Sequence, residues 1–157
     1  MAIEKVKAYF EKIGATEKIL EFSSSSATVA LAAEALGCEK KRIAKSLTFK
    51  EGEDGCVMVV CAGDAKVDNA KFKETFKMKA KMPSFDEVEG LCGHAAGGVC
   101  PFGVKDSVKV YLDVSLKRFT TVFPACGSSN SAVELTIEKL EQYSNFIEWV
   151  DVCKAWE

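Results

Sequence analysis

Apolar residues recur at Ile3, Val6, Phe10 and Ile13, the spacing of one helix face, and Gly14 ends the run. The chain therefore opens with an amphipathic helix over 3–13. Four consecutive serines at 23–26 break the pattern. Beyond them Val29, Ala32, Ala33 and Leu36 share one face of an alanine-rich stretch that Gly37 can cap, predicting a second, buried helix over 28–36. Asp68 and Thr136 precede short helical stretches at 69–76 and 137–143, where their side chains can accept first-turn N–H groups. Ser84 and Glu87 have capping-box spacing and open a short helix ending near Gly93.

Between these lie short runs rich in β-branched and aromatic residues, at 44–50, 56–62, 107–112, 120–126 and 131–135, which read as strands. Helices and strands do not alternate as in a doubly wound sheet. The predicted fold is α+β: a single domain over 1–157, with short helices flanking a mixed, mostly antiparallel, barrel-like sheet. The tail at 146–156 fits a helix through Phe146, Trp149, Val150 and Cys153 and a strand through Val150 and Val152, and the pattern does not choose.

With 157 residues, 48% hydrophobic, the chain can fill one core. A net charge of -2 excludes a disordered polyelectrolyte or a globally basic nucleic-acid coat, so any nucleic-acid contact must be local. Charge is unevenly placed, +4 over 39–50, +4 over 66–81 and -4 over 134–157. The longest uncharged stretch, 119–133, is interrupted by Pro124 and Gly127 and is too short to span a membrane. The N-terminal residues lack a secretory core, so a cytoplasmic protein without membrane contact is expected. Seven cysteines at irregular gaps, no Cys-x-x-Cys pair and a single histidine, His94, speak against a disulfide framework and against a zinc site.

Three places could carry chemistry. Lys45 begins the strand Lys45-Ser46-Leu47-Thr48-Phe49 and shares a face with Leu47 and Phe49, so its ammonium is aimed inward, where it needs an anion or a cavity. An edge lysine with its stem packed and its head in water is the plainer alternative. Gly97-Gly98-Val99-Cys100-Pro101-Phe102-Gly103 is a shaped loop whose N–H groups can converge on an anion or a carbonyl oxygen, or a tight connection. Cys126-Gly127-Ser128-Ser129-Asn130-Ser131 is a polar loop or an ordinary turn. Gly-Lys-Ser/Thr and Gly-x-Ser-x-Gly are both absent, which argues against nucleoside triphosphate hydrolysis and a serine elbow. Cys92 and His94, two residues apart, would not face each other on a helix.

Arg42-Ile43-Ala44-Lys45-Ser46-Leu47, Ala62-Gly63-Asp64-Ala65-Lys66-Val67-Asp68 and the glycine-proline loop, taken together, resemble the YbaK and prolyl-tRNA-synthetase editing-domain family. Ser-Ala-Thr before the alanine-rich helix and Gly-Ser-x-Asn-Ser before Val133-Glu134-Leu135 match as well, in the same order along 23–143. The resemblance implies a barrel-like sheet flanked by helices and a metal-independent, cofactor-free deacylase that removes alanine or cysteine from mischarged proline tRNA. Its partners would be the aminoacyl-tRNA 3′ end and prolyl-tRNA synthetase. Lys45 falls at the family's essential lysine. Gly97, Gly98, Pro101, Phe102 and Gly103 fall at the loop beside the aminoacyl group, and Thr28, Ser46, Gly127 and Ser128 at pocket positions. Hydrolysis would use the substrate's own hydroxyl or thiol, or a water. Cys100 and Cys126 would be pocket lining or incidental. With no general base identifiable, a non-catalytic module that binds aminoacyl-tRNA or a synthetase is the second reading.

Overall fold

A computed structural model describes residues 2–156. Helix α1 (Ala2–Ile13) is followed by β1 (Leu20–Glu21), α2 (Val29–Leu36), β2 (Ile43–Glu51), β3 (Gly55–Ala62), β4 (Lys66–Val67) and α3 (Asn69–Phe76). The second half runs α4 (Val88–Cys92), β5 (Val108–Asp113), β6 (Thr121–Pro124), β7 (Ser131–Ala132), β8 (Leu135–Thr136), α5 (Ile137–Ser144), β9 (Glu148–Val150) and β10 (Cys153–Lys154). The undecided tail is therefore strand. The run expected as one strand at 131–135 is two short ones, because β7 pairs with β1 while β8 pairs with β6.

The six-stranded sheet has the order β8-β6-β2-β3-β5-β9. Its five pairings are two antiparallel (β2-β3, β6-β8) and three parallel (β2-β6, β3-β5, β5-β9), so the sheet is mixed, as the sequence implies, but not mostly antiparallel, because β5 and β9 both run alongside their neighbours after crossover connections. β3 lies at its centre, and Met58, Val59, Val60, Cys61 and Ala62 are wholly buried, which explains an unbroken apolar run rather than an alternating one. Phe72 of α3 packs on Phe49 of β2 at 4.6 Å and on Phe76, which meets Tyr111 of β5 edge-on. α1 buries Val6 and Phe10, and Phe10 touches Tyr143 of α5 and Phe102.

The helix starts follow the predicted chemistry. Asp68 accepts from the Ala70 and Lys71 N–H groups and Thr136 from Lys139, while Thr28, expected as the first helical residue, stands one place before α2 as its cap and accepts from Leu31. Gly37 closes α2 in the left-handed region. The box at Ser84 forms by halves: Glu87 Oε1 accepts the Ser84 N–H at 2.9 Å, but the chain makes one turn there before α4 begins.

β2 decides where the site lies. It pairs with β3 from Ala44 to Glu51, but with β6 only at Ile43 and Ala44. From Lys45 onward its second edge is therefore open, and Lys50 N–H closes it again by donating to the Lys81 carbonyl at 2.7 Å. Alternation then turns the N–H and C=O groups of Ser46 and Thr48 toward the same open edge.

Candidate active site

A cavity of about 320 Å³ occupies that open edge. Its floor is 43–48 of β2; Thr28, Val29 and Ala32 wall it from α2, Ala96, Gly97 and Val99 from the glycine loop, and Met82 and Val88 from the segment before α4. Phe123, Ala125, Ser131 and Ala132 complete the lining, which is largely apolar.

Lys45 is half-buried, and its Nζ donates to the carbonyls of Gly63 (3.5 Å) and Ala65. An ammonium has three N–H donors, so one remains for a ligand. The two carbonyls flank Asp64, whose carboxylate receives both guanidinium arms of Arg118 at 2.6 and 3.0 Å. Arg118 holds the Asp64 carboxyl below its ordinary range. The guanidinium in turn lies 4.7 Å from the Phe119 ring and 4.9 Å from the Trp156 ring. Sequence reasoning missed this clamp, although Asp64 stands inside a motif it singled out.

Thr28 both lines the cavity and caps α2, so its Oγ1 accepts from Leu31 while its hydroxyl proton stays available. The positive end of α2 faces the same space. Ser46 lines the wall, and its buried Oγ has no partner among the described residues.

The glycine-proline loop does not reach the cavity as a whole. Gly97 lies on the wall; Gly98 packs behind it, where an added Cβ would stand 2.7 Å from the Gly127 carbonyl carbon and the Ser128 nitrogen. Gly127 and Ser128 thus back the loop rather than line the space. Pro101, Phe102 and Gly103, expected beside the aminoacyl group, are not on the wall. Phe102 is wholly buried, edge-on to Phe10 at 5.2 Å, and Gly103 packs on the Lys5 carbonyl. His94 Nε2 donates to the Phe102 carbonyl at 2.6 Å and so braces the loop from within.

Cys100 and Cys126 are fully buried and lie off the wall. Burial pushes the Cys100 thiol up to about 12 and raises that of Cys126 as well, so neither is a thiolate at neutral pH. Among the described residues no group of three or more His, Cys, Asp or Glu could hold a metal ion, and no helix is long and apolar enough to cross a membrane.

Fold and cavity together define an α+β protein with a small cavity at the unpaired edge of a curled, half-barrel sheet. The model of the aminoacyl-tRNA editing domain matches residues 23–143, and the chain belongs to that family. It is 52% identical over the full length of both chains to YwhH of Bacillus subtilis, a protein of uncharacterised function. It is 29% identical to EbsC of Enterococcus faecalis, over 72% of this chain and 70% of that one; EbsC is provisionally described as a Cys-tRNA(Pro)/Cys-tRNA(Cys) deacylase. A crystal structure provisionally described as a trans-editing enzyme for prolyl-tRNA synthetase superposes with a TM-score of 0.87 at 28% identity, covering 98% of this chain and 97% of the other.

Proposed function

We propose that the chain is a trans-editing deacylase that hydrolyses the ester joining a wrong small amino acid, alanine or cysteine, to proline tRNA. The observation that carries this reading is the Lys45 ammonium, anchored by two carbonyls and facing a cavity at the small end of the range for ligand pockets. Aminoacyl-tRNA is then the substrate, prolyl-tRNA synthetase the enzyme whose errors are removed, and the cytosol the compartment.

The ester is already activated, so the protein's part is positioning and charge. The free Lys45 N–H and the positive end of α2 stabilise negative charge growing on the ester oxygen, and Gly97 and Val99 hold the acyl group against the β2 edge. The Ser46 and Thr48 main chain offers hydrogen bonds to its ammonium and carbonyl. The attacking oxygen or sulfur comes from water or from the substrate itself, which fits a cavity lined, among the described residues, by no Asp, Glu or His. Selectivity rests on cavity volume, with each methylene worth about 1–3 kcal/mol.

The test is amino acid release from proline tRNA charged in turn with alanine, cysteine and proline, by the wild type and Lys45→Ala, with and without a chelator. Expected is chelator-resistant hydrolysis of a wrong ester that spares Pro-tRNA and falls at least about 100-fold in the variant. Binding of charged tRNA without release of any amino acid would favour a non-catalytic module.

A further inference from the structure

We propose that the segment 79–85 at the cavity mouth seats the single-stranded 3′ end of an RNA, with Phe85 as the platform on which a base stacks and Lys79 and Lys81 on the backbone phosphates. The proposal rests on the deacylase reading for what that strand carries, and adds the surface that would receive it.

The segment joins two residues of the cavity wall, Met82 and Val88, with Phe85 midway between them. It is pinned rather than loose. Lys50 N–H donates to the Lys81 carbonyl at 2.7 Å, Glu87 N–H to the Ser84 carbonyl at 3.1 Å and Ser84 N–H to Glu87 Oε1 at 2.9 Å. Glu87 Oε2 meets Lys50 Nζ at 2.7 Å, so the turn is fastened to β2 by main chain and side chain alike.

On this fixed turn stand the two most exposed large apolar side chains among the described residues, Phe85 at 76% and Met82 at 60%. An exposed leucine alone would need no explanation. An aromatic ring three-quarters exposed, midway along the chain between two residues of the cavity wall, offers a face on which a base can stack. Its surroundings are cationic. Exposure alternates along Lys77, Met78, Lys79, Ala80 and Lys81, which puts the three lysines in solvent. Neither these nor Lys73 forms an ion pair among the described residues, whereas Lys50, Lys71 and Lys109 each do. Nearby acids are few: Glu74, Asp86 and Glu89 are exposed, and Glu87 is matched by Lys50. Unpaired cations within a few residues of one solvent-facing ring along the same segment are the composition of a single-strand platform, because phosphates need charge and every base has a face that stacks. A protein partner would call for an interface core depleted of charge, and of lysine above all, which this segment is not.

The probe is a short fluorescein-labelled RNA ending in CCA, titrated by anisotropy at several salt concentrations. Phe85→Ala should weaken binding about tenfold, and Phe85→Trp should restore it. Lys79→Gln with Lys81→Gln should lower the slope of log affinity against log salt by about 0.7 for each lysine. These side chains are exposed, so melting temperatures should not move. On charged tRNA, Phe85→Ala should raise KM with kcat unchanged, and hydrolysis of the same amino acid's methyl ester should not alter. Wild-type RNA affinity in Phe85→Ala overturns the proposal whatever the lysine variants do, as does a wild type that does not bind the RNA. Binding through Phe85 without hydrolysis of any charged tRNA would leave this surface standing and remove the deacylase reading. Hydrolysis that is indifferent to Phe85 would do the reverse.

Discussion

At Gly63 a methyl group has nowhere to go. A Cβ there would stand 2.0 Å from the Lys40 carbonyl oxygen and 2.9 Å from a Val29 methyl, and the first of these is backbone. Gly63→Ala should therefore cost about 1–3 kcal/mol in urea denaturation, and activity should fall further than stability because Gly63 also offers a carbonyl to Lys45. His94 gives a second prediction at this scale. Burial is the main cause that holds its imidazole below 6.5, with Lys5 adding to it and the Phe102 carbonyl and Glu89 opposing. The unfolded chain takes up a proton near 6.5 and the folded chain only at lower pH. The stability from keeping this ring neutral is thus whole above 6.5 and lost as pH falls toward the folded value. The denaturation midpoint should drop between about pH 7.5 and about pH 5.5, and His94→Gln should flatten that slope. Of these residues only Lys45 was legible beforehand, because an inward lysine on a strand poses a question the pattern itself raises. His94 gave no sign of its role, since a ring that braces a loop from beneath depends on a partner eight residues away that no periodicity names.

The elements that matter to the site are those that hold Lys45 in place. Its two carbonyl partners sit on the turn between β3 and β4, and Asp64 ties that turn to Arg118, beyond β5. Arg118→Lys keeps the charge but not the two-armed grip, so kcat should fall about tenfold with KM little changed, measured on charged tRNA beside an unchanged melting temperature. The same turn is legible in part. Asp68 announced α3 correctly, Thr136 α5 and Gly37 the end of α2, because a cap is a local contract between neighbours. The capping box at Ser84 misled about where α4 starts, for the Glu87 carboxylate serves Lys50 of β2 as well as its own turn. Strand pairing was less readable still: nothing in 131–135 says that its two halves join different partners.

Across the whole molecule, six of the seven cysteines are buried and Cys38 is half-buried. Burial raises the thiols of Cys56, to about 11, Cys92, Cys100 and Cys126, and a hydrogen bond with Cys61, with burial behind it, raises that of Cys153. An aromatic disulfide reagent at neutral pH should titrate one thiol quickly in the folded protein and all seven after unfolding; rapid release from a second would contradict this burial. The fold class was readable because it depends on which elements exist and in what order. The cavity was not, since its wall is assembled from β2, α2, the glycine loop, the segment before α4 and the strands near 123–132, and its volume belongs to their arrangement. That arrangement also imposes an order in time. The lysine is made early, at position 45, but the ring that lies against its clamp is at 156, and β10 pairs with β4 only when 153 and 154 exist. A ribosome therefore delivers the charged group and its two carbonyl partners well before Arg118 and Trp156, which brace the turn that carries them.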